Sequence, residues 1–171
     1  MFKTTNNGRL PTRATKYSAC VDLYANKDVT IGAGETKIIG LGVKIDLDKL
    51  LYRVYKEAFT KQQIYKQNNY HKKVEELHDS FKNSHYILLE PRSSLRAKGL
   101  IVGSGIIDLD YNSELKLIIH YPYNGKGASH YEINSGDRIA QCTLLEHKSH
   151  LFGIESEDTR SGGIGSTDEQ N

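Results

Sequence analysis

The sequence predicts a mainly β fold, which could be a sandwich, a barrel or a jelly roll, with a short α-helical insertion. From residue 19 onward, apolar runs of strand length are separated by glycines and polar turns, and they are enriched in Val, Ile, Leu and Tyr. Many short strands without helices between them are typical of all-β architectures. The predicted strands lie within ACVDLYA, TKIIGLGVKI, YILLE, GLIVGSGIID, ELKLIIHY, HYEI and DRIAQCTLL.

The helical insertion is predicted over residues 47–85, which contain no Gly or Pro and are dense in Lys, Glu, Gln and Leu. Apolar residues recur there at helical spacing in two groups. The first group is Leu47, Leu50, Leu51, Val54, Tyr55 and Ala58, and the second is Val74, Leu77 and Phe81. Because Asn68 and Asn69 lie between the groups, we predict two helices joined by a polar loop.

The chain therefore divides into three predicted parts. Residues 1–46 and 86–152 form the β domain, residues 47–85 the helical insertion, and residues 153–171 a flexible C-terminal arm. The arm is rich in Gly, Ser, Thr and acidic residues and has almost nothing to bury.

The composition of the 171 residues predicts one domain with a modest core. Lys and Arg number 23 against 21 Asp and Glu, an excess too small to indicate binding of a specific nucleic acid. No apolar run approaches the roughly 18 residues of a membrane span, and the N-terminus lacks the apolar region of a signal peptide. We therefore expect a protein outside the membrane that is not secreted, in the cytoplasm, the nucleus or an infected host cell. Cys20 and Cys142 are expected to be free thiols.

Two segments combine an arginine with hydroxyls in a way that suits phosphate oxygens. Arg92, Ser93 and Ser94 follow Pro91, where a strand ends and backbone amides are released from pairing. In the arm, Arg160 precedes SGGIGST, which offers glycines for close approach and two hydroxyls. Taken singly, the first segment could be an ordinary turn and the second an ordinary flexible end. Together they predict a polyanion site.

Two aspartates stand near the first of these segments. The GSG sequence at 103–105 predicts a tight hairpin turn, from which Asp108 projects along the next strand, while Asp110 starts a further turn. A carboxylate beside a phosphate site serves as a general base for water or as part of a magnesium shell, and the alternative is a solvated side chain.

Five sequence elements, in chain order, resemble the motifs of the trimeric dUTP pyrophosphatase (dUTPase) family. They are ACVDLYA at 19–25, PRSSL at 91–95, GIIDLDYNSEL at 105–115, GDRIAQ at 136–141 and TRSGGIGST at 159–167. The resemblance implies a distorted jelly-roll subunit, the dUTPase-like β-barrel, and a threefold homotrimer. It also implies Mg²⁺-dependent hydrolysis of dUTP to dUMP and pyrophosphate, with Mg²⁺ held mainly by the triphosphate. Each site would draw its hairpin, its phosphate motif and its arm from three different subunits.

The resemblance also implies roles for individual residues. Asp108 matches the aspartate that activates the water attacking the α-phosphorus. Asp22 matches a carboxylate near the water shell of the metal, and a structural role in fixing the neighbouring motif is the alternative. The implied phosphate ligands are Arg92, Ser93, Ser94, Gln141, Arg160, Ser166 and Thr167. The implied nucleoside contacts are Val102, Gly105, Ile106, Ile107, Tyr111, Lys116, Ile164 and Gly165.

This chain departs from the family pattern at three places. Ile164 stands where the family usually has a phenylalanine over the uracil, and Ser94 stands where glycine is commoner. The insertion at 47–85 has no counterpart in the minimal pattern.

Two alternative functions stay open. A dCTP deaminase shares the fold and the motif order, but Ile118 occupies the position of its catalytic glutamate, and an aliphatic side chain cannot shuttle protons. A dUTPase-like regulatory protein could instead act through residues 47–85 by docking an unknown protein partner or, with the lysines of that segment, a polyanion.

Overall fold

The structure is a computed structural model that describes residues 1–5, 7–60, 70–123, 125 and 128–154, without the side chains of 56–60, 70, 71, 73 and 74. The strands are β1 Phe2–Thr4, β2 Val21–Tyr24, β3 Val29–Gly32, β4 Thr36–Gly40, β5 Val43–Ile45, β6 His85–Pro91, β7 Ile101–Val102, β8 Gly105–Asp108, β9 Lys116–His120, β10 His130–Ile133 and β11 Arg138–Glu146. The helices are α1 Leu47–Thr60, α2 Tyr70–Lys82 and α3 Ser93–Ala97, and a 3₁₀ helix spans Ser149–Phe152. The predicted mainly β class is confirmed.

The strands form two larger sheets and two isolated pairs, all antiparallel within the described residues. The larger sheet has four strands in the order β2-β11-β6-β8, and the other has three in the order β4-β9-β7. The two isolated pairs join β1 to β5 and β10 to β3. Because partners such as β2 and β11 lie near opposite ends of the chain, long-range pairing determines the fold.

One hydrophobic core collects the inward side chains of both larger sheets. Ile87 and Leu89 of β6 and Leu117 and Ile119 of β9 are all buried in it. In both strands these residues alternate with more exposed ones, as the two-residue period of a strand requires. The outward side chains of β6 and its neighbours are therefore available for a functional site.

The two helices that precede β6 are anchored in the same core. Leu50 and Leu51 of α1 and Phe81 of α2 are buried members of the hydrophobic cluster. The Phe81 ring also stacks on the His85 imidazole, with 4.1 Å between the ring centroids. Both helices lie within the segment for which two helices were expected, while its division from the β domain and the arm stays a prediction. In the described part of the chain, no helix is long and apolar enough to span a membrane.

Helix α1 begins at a buried carboxylate. Asp46 Oδ1 accepts a hydrogen bond from the Lys49 N–H at 3.3 Å and lies 3.4 Å from Lys3 Nζ. Asp46 thus caps the helix and ties it to β1. Desolvation raises the pKa of Asp46, but the Lys49 N–H and the Lys3 ammonium outweigh it and hold the pKa below its ordinary value.

The predicted tight hairpin at 103–105 is wrong. β7 pairs with β9 in the three-stranded sheet, whereas β8 pairs with β6 in the four-stranded sheet. The GSG segment is therefore a crossover between sheets. Glycines between two apolar runs indicate a change of chain direction, and this signal does not distinguish a hairpin from a crossover.

We predict that Phe81→Ala destabilises the protein, because it leaves a cavity where the ring packs between His85 and the core. The expected loss is about 3 kcal/mol in the free energy of unfolding. Urea titration followed by circular dichroism, at a fixed chain concentration, measures this loss. Tyr52→Ala on α1 is the matched control, since Tyr52 is 58% exposed. Equal urea midpoints for the two variants would contradict the anchoring of the helices in the core.

Candidate functional site

The candidate site lies on the outer face of the four-stranded sheet, defined as the side chains of that sheet that point away from the core. Residues directly opposite each other in antiparallel strands share a face. Tyr86 of β6 is opposite Asp108 of β8. Glu90 of β6 is opposite Gln141 of β11, which is in turn opposite Asp22 of β2. The outer face therefore carries the Asp108 carboxylate at one end and a group of polar side chains at the other.

A buried carboxylate and two arginines organise the second end. Asp22 is only 4% exposed, its Oδ1 accepts a hydrogen bond from Arg92 Nη1, and its Oδ2 lies 3.4 Å from Arg138 Nη1. Gln141 follows Arg138 on β11, and its Nε2 donates to the Pro91 carbonyl at 3.4 Å. Because a buried charge is costly unless it is paired, Asp22 fixes the positions of both guanidinium groups.

Ser93 and Ser94 form the first turn of α3, directly after Arg92. Pro91 ends β6, and the Arg92 N–H makes one further bond to β11, at 3.0 Å to the Ile139 carbonyl. Both serines are exposed. The structure thus places Arg92, Ser93, Ser94 and Gln141, four of the predicted phosphate ligands, in one neighbourhood, while their role stays a prediction.

Asp108 lies at the end of β8, the edge strand of the sheet, and its side chain is exposed. The chain then turns back, with the Tyr111 N–H donating to the Asp108 carbonyl at 3.1 Å. Tyr111 is buried, and its hydroxyl donates to the Glu114 carbonyl at 3.1 Å. These two hydrogen bonds fix the turn that begins at Asp108, the predicted general base.

Glu114 is a site residue that the sequence did not reveal. Its Oε1 accepts hydrogen bonds from Asn26 Nδ2 at 2.7 Å and from the Gly42 N–H at 2.6 Å. Gly40 must be small, because a Cβ there would lie 2.8 Å from Glu114 Oε1. The carboxylate therefore ties the turn at 109–115 to the loop between β4 and β5. Since its partners lie far away in the chain, no local pattern marks it.

The predicted nucleoside residues flank this turn on two different sheets. Gly105, Ile106 and Ile107 belong to β8, whereas Val102 and Lys116 belong to β7 and β9. In the part of the chain that the structure describes, β8 pairs with β6 and not with β9. The second edge of β8 therefore has no strand partner among the described residues, and its backbone N–H and C=O groups are not used in a sheet there.

The two ends of the outer face are well separated within one chain. Tyr86, opposite Asp108, and Glu90, opposite Gln141, are four residues apart on β6. This offset corresponds to roughly 13 Å along the strand, and the two strands flanking β6 are roughly 10 Å apart. One chain therefore does not bring Asp108 and Gln141 within hydrogen-bonding distance of the same ligand atom.

The remaining predictions concern the residues of the C-terminal arm, metal binding and the two cysteines. Arg160, Ile164, Gly165, Ser166 and Thr167 lie outside the described residues, so their roles stay predictions. Among the described residues, no group of three His, Cys, Asp or Glu side chains could hold a metal ion. Cys20 and Cys142 are free thiols. Burial, with a smaller contribution from Cys20, raises the pKa of Cys142 to about 12, so this thiol stays protonated and is not a nucleophile.

The fold and the outer face together define a mainly β protein with cationic, hydroxyl and amide groups at one end of a sheet and an exposed carboxylate at the other. The family model for dUTPase matches residues 70–168. The deoxyuridine 5'-triphosphate nucleotidohydrolase of Variola virus is 28% identical over 169 residues, which cover 96% of this chain and 89% of the viral protein. The Monkeypox virus enzyme of the same name is also 28% identical, with 96% and 87% covered.

Solved structures agree with these sequence matches. The dUTPase of Staphylococcus bacteriophage 80alpha superposes with a TM-score of 0.61 at 17% identity, covering 95% of this chain and 97% of that one. The EIAV dUTPase superposes with a TM-score of 0.54 at 21% identity, covering 96% of both chains. The chain belongs to the dUTPase family. The predicted family, the jelly-roll-like β class and the enzyme class, a dUTP diphosphatase, are thereby confirmed.

Proposed function

We propose that this protein hydrolyses dUTP to dUMP and pyrophosphate at sites formed between subunits of a homotrimer. The observation that carries the proposal is the register of β6, which holds Asp108 and the Arg92–Gln141 group on one outer face but at opposite ends. A carboxylate and a set of phosphate-binding side chains that cannot reach one ligand within a single chain can do so when copies of the chain associate. Membership of the dUTPase family supports the choice of substrate.

Asp108 acts as the general base in this proposal. Its exposed carboxylate accepts a proton from water, and the water oxygen attacks the α-phosphorus in line. The bond between the α-phosphorus and the α,β-bridging oxygen breaks, and pyrophosphate leaves with that oxygen and its electron pair. Arg92, Ser93, Ser94 and Gln141 of another subunit bind the phosphate oxygens, with the guanidinium as the strongest donor. Asp22 orients Arg92 through the buried ion pair.

Uracil would be recognised in a slot beside β8. Its N3–H donor lies between two carbonyl acceptors, and the backbone groups of Ile106, Val102 and Lys116 complement such a pattern. Cytosine inverts the pattern at two positions and leaves buried groups unpaired, at a cost of about 1–3 kcal/mol each. Tyr111 packs on the deoxyribose, where a ribose 2′-hydroxyl would clash.

Mg²⁺ would enter this reaction as part of the substrate, bound to the triphosphate. Both carboxylate oxygens of Asp22 already face Arg92 or Arg138, which supports the structural role of Asp22 over a role in the metal's water shell. A related phage phi11 dUTPase, 17% identical with a TM-score of 0.61, coordinates a structural Mg(II) ion. In this chain the Mg²⁺ bound to the triphosphate would neutralise charge on the leaving pyrophosphate.

Exposed apolar side chains on both larger sheets support the homotrimer. Ile106 is 70% exposed on the outer face, beside the half-buried Leu88. On the three-stranded sheet, Ile38, Ile101 and Ile118 are also exposed. Such apolar surface favours association. The third subunit would contribute the arm, with Arg160, Ser166 and Thr167 on the phosphates and Ile164 and Gly165 over the base.

Ile118 supports hydrolysis over deamination of dCTP, because no proton-transfer group stands at that position of β9. Location in the cytoplasm, the nucleus or an infected host cell stays a prediction, as does the docking of an unknown protein partner on residues 47–85.

We predict that dUTP releases pyrophosphate much faster than dCTP, dTTP or UTP does. Cytosine inverts the hydrogen-bond pattern, thymine adds a 5-methyl group that a narrow slot excludes, and UTP adds a ribose 2′-hydroxyl beside Tyr111. The expected preference in kcat/KM is at least about 100-fold over dCTP, the value of two unpaired groups, and at least about 10-fold over dTTP and UTP, the value of one clash. A coupled pyrophosphate assay with the four nucleotides side by side measures it. Comparable turnover of dCTP or UTP would refute the recognition scheme, and ammonia release from dCTP would identify a deaminase.

We predict that Asp108→Asn lowers kcat for dUTP by at least about 100-fold, because an amide cannot accept the proton of the attacking water. Nucleotide binding should persist, since the substitution preserves size. Steady-state kinetics and calorimetric titration with a non-hydrolysable dUTP analogue separate the two effects. Asp48→Asn on the exposed first turn of α1 is the matched control. Unchanged turnover in Asp108→Asn would remove Asp108 as the base.

A further inference from the structure

A cleft of about 750 Å³ lies beside Asp108, and the helical insertion forms one of its walls. The last turn of α2 contributes Asp79 and Lys82, the end of β8 and the turn after it contribute Asp108 and Asp110, and the segment after β11 contributes His147. The insertion therefore reaches the position of the proposed base.

Strand pairing places the end of α2 there. Because Tyr86 is opposite Asp108, the residues just before β6 lie next to the end of β8. The connection is held rigidly, since the His147 N–H donates to the Ser84 carbonyl at 2.7 Å and the Ser84 hydroxyl donates to the Ser80 carbonyl at 2.7 Å. Phe81, the neighbour of Lys82, is buried in the core. Lys82 is thus attached to a fixed part of the fold.

The ionisable side chains in the described lining of the cleft are acidic except for Lys82 and two histidines. Three carboxylates line it, those of Asp79, Asp108 and Asp110. Among the described lining residues, Lys82 is the only lysine or arginine, and the other basic groups are the imidazoles of His147 and His150. A polyanionic substrate entering this cleft meets acidic groups with one full positive charge among them. Lys82 is therefore the one lysine or arginine that the described lining of this cleft offers to a phosphate group.

The Lys82 ammonium can exchange its protein partner for a ligand. Its Nζ lies 2.6 Å from Asp79 Oδ1, an i,i+3 pair on one turn of helix, and its side chain is 34% exposed. Ion pairs of this kind contribute little to stability, so exchanging the carboxylate for a phosphate oxygen costs little. The flexible lysine side chain permits such an exchange from a fixed backbone.

We propose that Lys82 binds the phosphate group nearest the sugar of the nucleotide, so that the helical insertion supplies a wall and a cation of the active site. The proposal rests on the proposed function, because it takes Asp108 as the base for attack on that phosphate. Because Lys82 lines the same cleft as Asp108, its ammonium can reach a phosphate group held there and would neutralise charge that develops in the transition state. The insertion is then a part of the catalytic subunit and not a separate docking module.

The test compares ligands that differ only in phosphate. Calorimetric titration of Lys82→Ala with deoxyuridine, dUMP and a non-hydrolysable dUTP analogue should show about 10-fold weaker binding of dUMP and of the analogue, the value of one charge-assisted hydrogen bond. Deoxyuridine should bind as it does to the unsubstituted protein. Lys82→Arg should restore most of the loss.

The matched control is Lys72→Ala on the same helix. Lys72 is 76% exposed, pairs with Glu76 at 4.0 Å and does not line the cleft, so all three ligands should bind unchanged. Equal loss of deoxyuridine affinity in Lys82→Ala would indicate a merely structural role and overturn the proposal, as would unchanged dUMP affinity. Hydrolysis of dUTP by the unsubstituted protein is measured alongside. Its absence would refute the proposed function, whereas its presence together with normal dUMP binding by Lys82→Ala would refute this inference alone.

Discussion

The register of β6 is the constraint on which the rest of the structure depends. β6 is paired on one side with β11 and on the other with β8, and these pairings decide which side chains point to the core and which form the outer face. If β8 slipped by one residue along β6, the Asp108 side chain would turn toward the core and Ile107 would be exposed in its place. The same register brings the end of α2 next to Asp108 and places Pro91 and Arg92 beside Gln141. One strand therefore positions Asp108, the Arg92–Gln141 group and the end of the insertion relative to one another.

This arrangement explains why the motif 91–111 is crowded in sequence but spread out in space. Arg92 and Asp108 mark opposite ends of the sheet face, with the crossover at 103–105 between them. In the proposed function, association of subunits completes each site and also covers exposed apolar side chains such as Ile106. The same contacts would then couple stability to catalysis. The buried Asp22 carboxylate orients Arg92 through their ion pair.

Sequence alone predicts much of this fold because its signals are local. Apolar runs of strand length, the helical periodicity of 47–85 and the five ordered motifs each depend on neighbouring residues. The errors and omissions concern contacts between distant segments. The glycines at 103–105 predict a hairpin, but the strands on either side pair with other segments of the chain. No local pattern marks Glu114, because its partners, Asn26 and Gly42, come from another part of the sequence. The position of Lys82 beside Asp108 likewise follows from strand register, which local patterns do not specify.

The most direct test of a shared site is complementation between two inactive variants. Asp108→Asn chains and Gln141→Ala chains are each purified, shown to be inactive, unfolded, mixed in equal amounts and refolded together. If one subunit supplies the base and another the glutamine, about a quarter of the sites in the mixed trimers combine both intact residues, because each is drawn at random from the two kinds of chain. The account predicts recovery of about a quarter of the unsubstituted dUTP hydrolysis per site. Mixed assemblies as inactive as their parents would contradict it.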